Sequence, residues 1–188
     1  MNCLDQTPIR LFSIDPGSNH LGFAMSEISS DFKSITVVDA TTVNLPKLLN
    51  RNEQPRAELF GDKVAKLHIL RHAVTRYAEA WNPLCVVSET PYMGKFPQAY
   101  GALMECYCSI RLGLSDYNRS MVLHGIDPSS VKASVGVNGR SDDKELVRKA
   151  LLKLPDLILN VTLLHLDEHA VDAIAVAYSY YKFNVRVL

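Results

Sequence analysis

Short apolar runs alternate with amphipathic stretches along this chain, and the two periods separate cleanly. Residues 9–14 (IRLFSI) and 21–25 (LGFAM) are apolar runs joined through Asp15, Pro16 and Gly17. Proline cannot donate to a ladder and glycine admits positive φ, so the first run must turn there and the pair reads as a hairpin. Residues 34–43 (SITVVDATTV) are rich in β-branched side chains and predict a third strand. Residues 45–55 mix proline, asparagine and charge, which predicts a loop. From 56 to 81, Leu59, Phe60, Val64, Leu67, Leu70, Val74 and Tyr77 recur at steps of three and four, the period of one amphipathic helix ending at Asn82-Pro83.

The second half continues with Leu84-Cys85-Val86-Val87, wholly apolar as befits a strand covered on both faces. Residues 99–114 resume helical spacing, and 121–126 (MVLHGI) predict a fifth strand. Asp127-Pro128-Ser129-Ser130 has the pattern of a capped helix start. Residues 135–140 hold two glycines and an asparagine and predict a loop. Residues 142–154 place acids early and Arg148, Lys149 and Lys153 late, which suits a helix dipole. Residues 157–161 fit a strand or a helix equally. Residues 167–181 form a final helix with Ala170, Ala173, Ile174, Ala177 and Tyr178 on a packed face. The order predicts an α/β domain spanning 1–188, a mixed sheet with helices on both faces.

Composition changes this picture little. Hydrophobic residues make up 47% of the chain, enough for a sizeable core, and 20 basic side chains balance 20 acidic ones. A neutral total weighs against indiscriminate nucleic-acid binding while leaving room for a local basic face. Cys3, Cys85, Cys106 and Cys108 form no CxxC pair, so free thiols in a reducing compartment are expected. There is no signal-like N-terminus, and no apolar run approaches the ~18 residues of a membrane span. The expectation is a soluble cytoplasmic protein with no membrane partner.

Candidate chemistry comes from three acids. Asp15 and Glu89 each follow an apolar strand directly and precede a proline closely, while Asp172 shares a helical face with Glu168 and His169. Each has a plain alternative: a turn cap for Asp15, an ion pair with Arg111 or Lys95 for Glu89 and with Lys182 for Asp172, an ordinary surface imidazole for His169. Gathered together, however, the carboxylates would repel one another unless a cation neutralised them. Hard oxygen donors favour Mg²⁺ or Mn²⁺ over zinc, and two such ions about 4 Å apart are a recurring solution for phosphodiester cleavage.

Basic residues Lys132, Arg140, Lys144, Arg148, Lys149 and Lys153 interleave with Gly136, Asn138 and Gly139, a pattern in which cations and backbone amides can meet phosphates together. A solvated helix face explains Arg148, Lys149 and Lys153 as well. Tyr92, Met93 and Phe96 with Lys95 make an aromatic and basic loop after Glu89; such side chains stack on unpaired bases or fold back as a core plug.

These residues resemble the RuvC-type Holliday-junction resolvases of the ribonuclease H-like superfamily. Four blocks carry the resemblance: Ile14-Asp15-Pro16-Gly17 with Gly22; Glu89 with Gly101-Ala102; Pro128-Ser129-Ser130-Val131-Lys132 leading to Asn138-Gly139-Arg140 and Lys144; and His169-Ala170-Val171-Asp172-Ala173-Ile174-Ala175. The resemblance implies a ribonuclease H-like fold with a five-stranded mixed sheet, three antiparallel strands and then two parallel. It implies a homodimer in the cytoplasm of a bacterium or phage-infected host that nicks four-way DNA junctions symmetrically by Mg²⁺-dependent hydrolysis. Other branched DNA is an expected substrate, and the expected roles are recombination, repair and replication. Asp15, Glu89, His169 and Asp172 fall at the metal-ligand and catalytic positions, with Glu168 competing for the place of His169. Lys132 and Lys144 fall at phosphate-contacting positions, Tyr92 at that of an aromatic residue beside the junction, and Lys95, Phe96 and Arg140 join them as DNA-binding candidates. The segment 39–62 is longer than the family's minimal form. Rival readings are a ribonuclease H acting on RNA–DNA hybrids and a non-catalytic junction-binding module. The sugar-kinase and actin-like ATPases share the strand-end Asp-Gly hairpin but need a second domain.

Overall fold

The computed structural model describes residues 7–94, 96–138 and 144–186. Strands β1 (Ile9–Asp15), β2 (His20–Ile28) and β3 (Ile35–Asn44) form the antiparallel meander. Strand β4 (Cys85–Glu89) then joins the free edge of β1 in parallel, and β5 (Leu123–Ile126) joins β4 the same way. The five-strand expectation is short by one. Strand β6 (Leu157–Leu159) pairs in parallel with β3, Ile35 opposite Leu157, and the sheet runs β5-β4-β1-β2-β3-β6. Three residues carry no visible two-residue period, which is why 157–161 was ambiguous in sequence.

Between β3 and β4 the structure departs from the predicted loop and single helix. Residues 45–55 coil into α1 (Leu45–Asn52) and the start of α2 (Gln54–Phe60), and a separate α3 (Asp62–Trp81) follows. Asn44 caps α1 by accepting a 2.8 Å hydrogen bond from the Lys47 amide, and a proline sits in the first turn, where it costs no hydrogen bond. Gly61 separates α2 from α3 with φ +86°, a conformation open to glycine and strained for other residues. The break rotates the earlier residues off the core. Leu59 and Phe60 are 76% and 61% exposed, and the buried stripe of α3 is Ala65, Ile69, Leu70, Val74 and Ala78.

Two apolar layers flank the sheet. On one side α3 and α4 (Pro97–Tyr117) cover Phe12, Ile14, Phe23 and Val86, with the Phe12 and Phe23 rings edge-on at 5.0 Å. A bidentate Arg71–Asp116 pair at 2.5 and 2.7 Å ties these two helices together. On the other side α7 (Glu168–Tyr180) crosses β1, β2, β3 and β4, backed by α5 (Pro128–Ser134) and α6 (Lys144–Leu151). Its alanines let it lie flat on the strands. Ser13, buried in the sheet, donates a 2.8 Å hydrogen bond to the Ala173 carbonyl. At Gly22 contact is closer still: a Cβ built there would stand 2.0 Å from the His169 carbonyl oxygen.

Past α7 the chain widens into a π-helical stretch, Tyr181–Val185. There Arg186 Nη1 reaches Asp156 Oδ2 at 2.6 Å, and the Tyr178 hydroxyl donates to Asp156 Oδ1 at 2.9 Å. Asp156 is buried, so these two donors satisfy a carboxylate that could not otherwise be tolerated there. The described cysteines are free thiols, and burial pushes that of Cys106 up to about 11. None of the described helices is long and apolar enough to cross a membrane.

Candidate functional site

Strand register places the first two acids. Ile14 pairs with Ser88 across the parallel β1–β4 ladder, so Asp15 and Glu89, one residue further along, end neighbouring strands about 4.8 Å apart. Side chains alternate along a strand. Leu11 and Val87 pack into the layer beneath α7, so Asp15 and Glu89 project toward α7 as well. The end of β4 is held by Thr90, whose amide and hydroxyl both donate to the Ile126 carbonyl, at 2.8 and 3.2 Å.

Helix α7 brings the remaining members. Asp167 is its N-cap, accepting from the Ala170 amide at 3.1 Å and from the Thr42 hydroxyl of β3. Burial works to raise the Asp167 carboxyl, but the Thr42 and Ala170 hydrogen bonds and the nearby His169 hold it below its usual range. The cap fixes where the helix starts, and the next turn puts His169 over the end of β1. His169 Nδ1 lies 3.0 Å from Asp15 Oδ2, with 24% and 15% of the two side chains exposed. Its Nε2 faces Glu168 Oε1 at 3.7 Å. His169 therefore touches Asp15, and Glu168 beside it is half-exposed. Asp172, three residues on, is half-buried one turn along the same helix.

The carboxylate oxygens are donors a hard divalent ion takes, while the one imidazole is a softer ligand. Among the described residues no three His, Cys, Asp or Glu side chains stand close enough around one point to hold an ion. Asp15 and His169 do form a closed contact.

Tyr92 and Phe96, 72% and 74% exposed, lie in the segment after β4 together with exposed Met93, so the aromatic loop is not a core plug. Lys132 sits in the last turn of α5, whose N-cap Asp127 accepts from the hydroxyls of Ser129 and Ser130 and from the Ser130 amide. Lys95 and Arg140 lie outside the described residues, as does the side chain of Lys144, whose backbone opens α6. Arg148 serves the fold: its guanidinium donates to the carbonyls of Leu163 and Leu166, steadying the approach to Asp167.

Two residues next to the site carried no signal in the sequence. His20, the first residue of β2, stacks on His169 with ring centroids 5.2 Å apart and planes 15° from parallel. Asn44, opposite His20 in the β2–β3 register, holds its far edge, Nδ2 to Nε2 at 3.1 Å. A contact between residues 20 and 169 has no local pattern; only the positions of both at the mouth of the sheet could have hinted at it.

No protein-family model matches the chain, and no curated sequence does. Solved structures do. The RuvC of Thermus thermophilus superimposes with a TM-score of 0.67 at 15% identity, over 94% of this chain and 98% of that one. The yeast mitochondrial Holliday junction resolvase gives 0.67 at 13% identity, over 96% and 81%. The fowlpox virus resolvase, solved with its substrate Holliday junction DNA, gives 0.53 at 13% identity, over 92% and 97%. The architecture is therefore ribonuclease H-like. Within that class, the fold is that of the RuvC-type resolvases.

Proposed function

We propose that this chain is a divalent-metal-dependent endonuclease that recognises four-way DNA junctions and nicks them by phosphodiester hydrolysis. The observation that carries the reading is the Asp15–His169 contact, closed at the end of β1 beside Glu89 in a RuvC-type fold. Solved neighbours with that fold include resolvases bound to Holliday junction DNA.

In this reading Asp15, Glu89, Asp172 and His169 hold two Mg²⁺ ions, with Mn²⁺ as a substitute. Bound there, the metal supplies Lewis-acid activation of the phosphate and a water of lowered pKa. Two strand ends and one helix carry the carboxylates, and in the hydrolysis the water oxygen attacks phosphorus as the bond to the 3′ oxygen breaks. The products are a 5′-phosphate and a 3′-hydroxyl. An ionised Asp15 only accepts, so it fixes the proton of the pair on His169 Nδ1. Lys132 and Lys144 contact backbone phosphates, as do Lys95 and Arg140, while Tyr92 and Phe96 stack on bases opened at the crossover. Symmetric incision calls for a homodimer with two such sites.

The test is incubation with labelled four-way junction, Y-fork, linear duplex and RNA–DNA hybrid, each with Mg²⁺ or EDTA. Paired nicks in the junction that need Mg²⁺ support the proposal. Selective cutting of the hybrid would replace it with the ribonuclease H reading, and tight junction binding without cleavage under any metal would leave a binding module. Light scattering of the free and junction-bound protein reads the assembly, and a strict monomer in both states overturns paired incision.

A further inference from the structure

The β2–β3 ribbon grips the first turn of α7 at three neighbouring points. Thr42 holds Asp167, Gly22 receives the His169 carbonyl, and His20 lies flat against the His169 ring. Gly22 pairs with Thr42 and His20 with Asn44, so all four residues face α7 along one stretch of ladder. The first two contacts place the backbone of α7. The third acts on a side chain.

Asn44 settles the state of His20. Its Oδ1 accepts from the Lys47 amide as the cap of α1, an interaction only the oxygen can make. The amide nitrogen is thereby turned toward His20, and since it only donates, Nε2 of His20 must accept. Held at Nε2 by Asn44, His20 presents a parallel, offset face to His169. Asp15 meets the Nδ1 edge of His169, and the His20 ring lies against the face of the same imidazole. A ring packed on that face restrains the plane in which His169 lies.

We propose that His20, held by Asn44, is a positioning residue that sets the ring plane of His169 in the candidate nuclease site. Asn44 belongs at once to β3 and to the cap of α1, so the segment 39–62 buttresses the site instead of merely decorating it. The proposal rests on the nuclease reading for its consequence in catalysis, but not for the contact itself.

Two measurements test it on the full chain. Long-range ¹H–¹⁵N NMR of the six imidazoles should show His20 protonated on Nδ1. In His20→Ala the ring protons of His169 should lose their upfield stacking shift, and in His20→Phe keep it. Single-turnover nicking by His20→Ala should fall about tenfold or more, the range seen when groups orienting a metal ligand are removed. Junction affinity in EDTA should be unchanged, and His20→Phe should recover most of the rate. A His20 protonated on Nε2, or His169 ring shifts unmoved in His20→Ala, overturns the proposal. Should the unsubstituted protein nick nothing, the nuclease reading falls, and the His169 shifts still decide whether His20 positions that ring.

Discussion

Asp15 Oδ2 and His169 Nδ1 stand 3.0 Å apart across 154 residues of chain, one at the end of the first strand and one in the first turn of the last α-helix. Replacing Asp15 with Asn keeps the shape and removes the charge. Under the nuclease reading, Asp15→Asn should lower Mg²⁺-dependent nicking at least about 100-fold, because the metal that stabilises the transition-state charge loses an anionic ligand. Junction binding in EDTA should persist. Full residual cleavage in a single-turnover assay would remove Asp15 from the proposed metal site.

Two glycines should respond oppositely to alanine. At Gly22 the added methyl meets the His169 carbonyl at 2.0 Å, so Gly22→Ala must lift α7 or bend β2, at a cost of roughly 1–3 kcal/mol. At Gly101, within α4, an added methyl meets nothing within 4 Å, and Gly101→Ala should stabilise by up to about 1 kcal/mol through helix propensity. Urea unfolding curves of the two variants read both signs.

The exposed aromatic loop makes a separable prediction. Tyr92→Ala and Phe96→Ala remove side chains that are about three-quarters exposed, so stability should move by less than about 0.5 kcal/mol. Junction affinity should fall by about 1–3 kcal/mol per lost base stack, read by fluorescence anisotropy. Unchanged affinity would take the loop out of the DNA interface.

Acid dependence should appear at the start of α5. Hydrogen bonds from the Ser129 and Ser130 hydroxyls, then the Ser130 amide, draw the Asp127 carboxyl from 3.8 down to about 2. The folded value lies below the unfolded one, so the stabilisation is complete above about pH 4 and is lost as pH falls through about 2. Asp127→Ala should cost about 1 kcal/mol at pH 7, the usual worth of such a cap. The gap between the two proteins should shrink toward zero as pH drops from 4 to 2. A gap that stays constant over that window would show that the carboxylate charge contributes nothing.

Tyr178→Phe probes the buried carboxylate. Burial and the bond to Asp156 push the Tyr178 hydroxyl up to about 12, and that hydroxyl is one of two donors to a buried anion. Its removal should cost about 2 kcal/mol, the worth of a hydrogen bond to a charged group. A loss below 0.5 kcal/mol in thermal unfolding would mean that Arg186 alone satisfies Asp156.

The sheet's core was legible because β1 and β4 are apolar runs that stop at acids, and α7 because its small residues recur with helical spacing. Those same runs pointed to Asp15, Glu89 and the His169–Asp172 turn. The segment after β3 was not legible. Its proline and asparagine suggest a loop, yet Asn44 and the proline beside it are the N-terminal signals of α1. Leu59 and Phe60 keep the period of α3, but periodicity cannot register the rotation at Gly61 that leaves both exposed. Strand β6 owes its existence to pairing with β3, a tertiary effect that three residues cannot announce. His20 was invisible for a similar reason: its partner is chosen by the way α7 lies, not by its sequence neighbours.

That α7 lies across strands formed from the first half of the chain has a consequence for timing. Loop closure over such separations is slow compared with hairpin formation, so the β1–β2–β3 meander can form during synthesis while α7 must wait for its own translation. Asp15 is laid down early yet gains His169 only when the last helix docks. A nascent or prematurely stopped chain ending before Asp167 would carry the aromatic loop and two of the acids but lack the helix that completes them. Under the nuclease reading, catalytic competence then waits on the docking of α7, and a chain stopped before Asp167 could not cut.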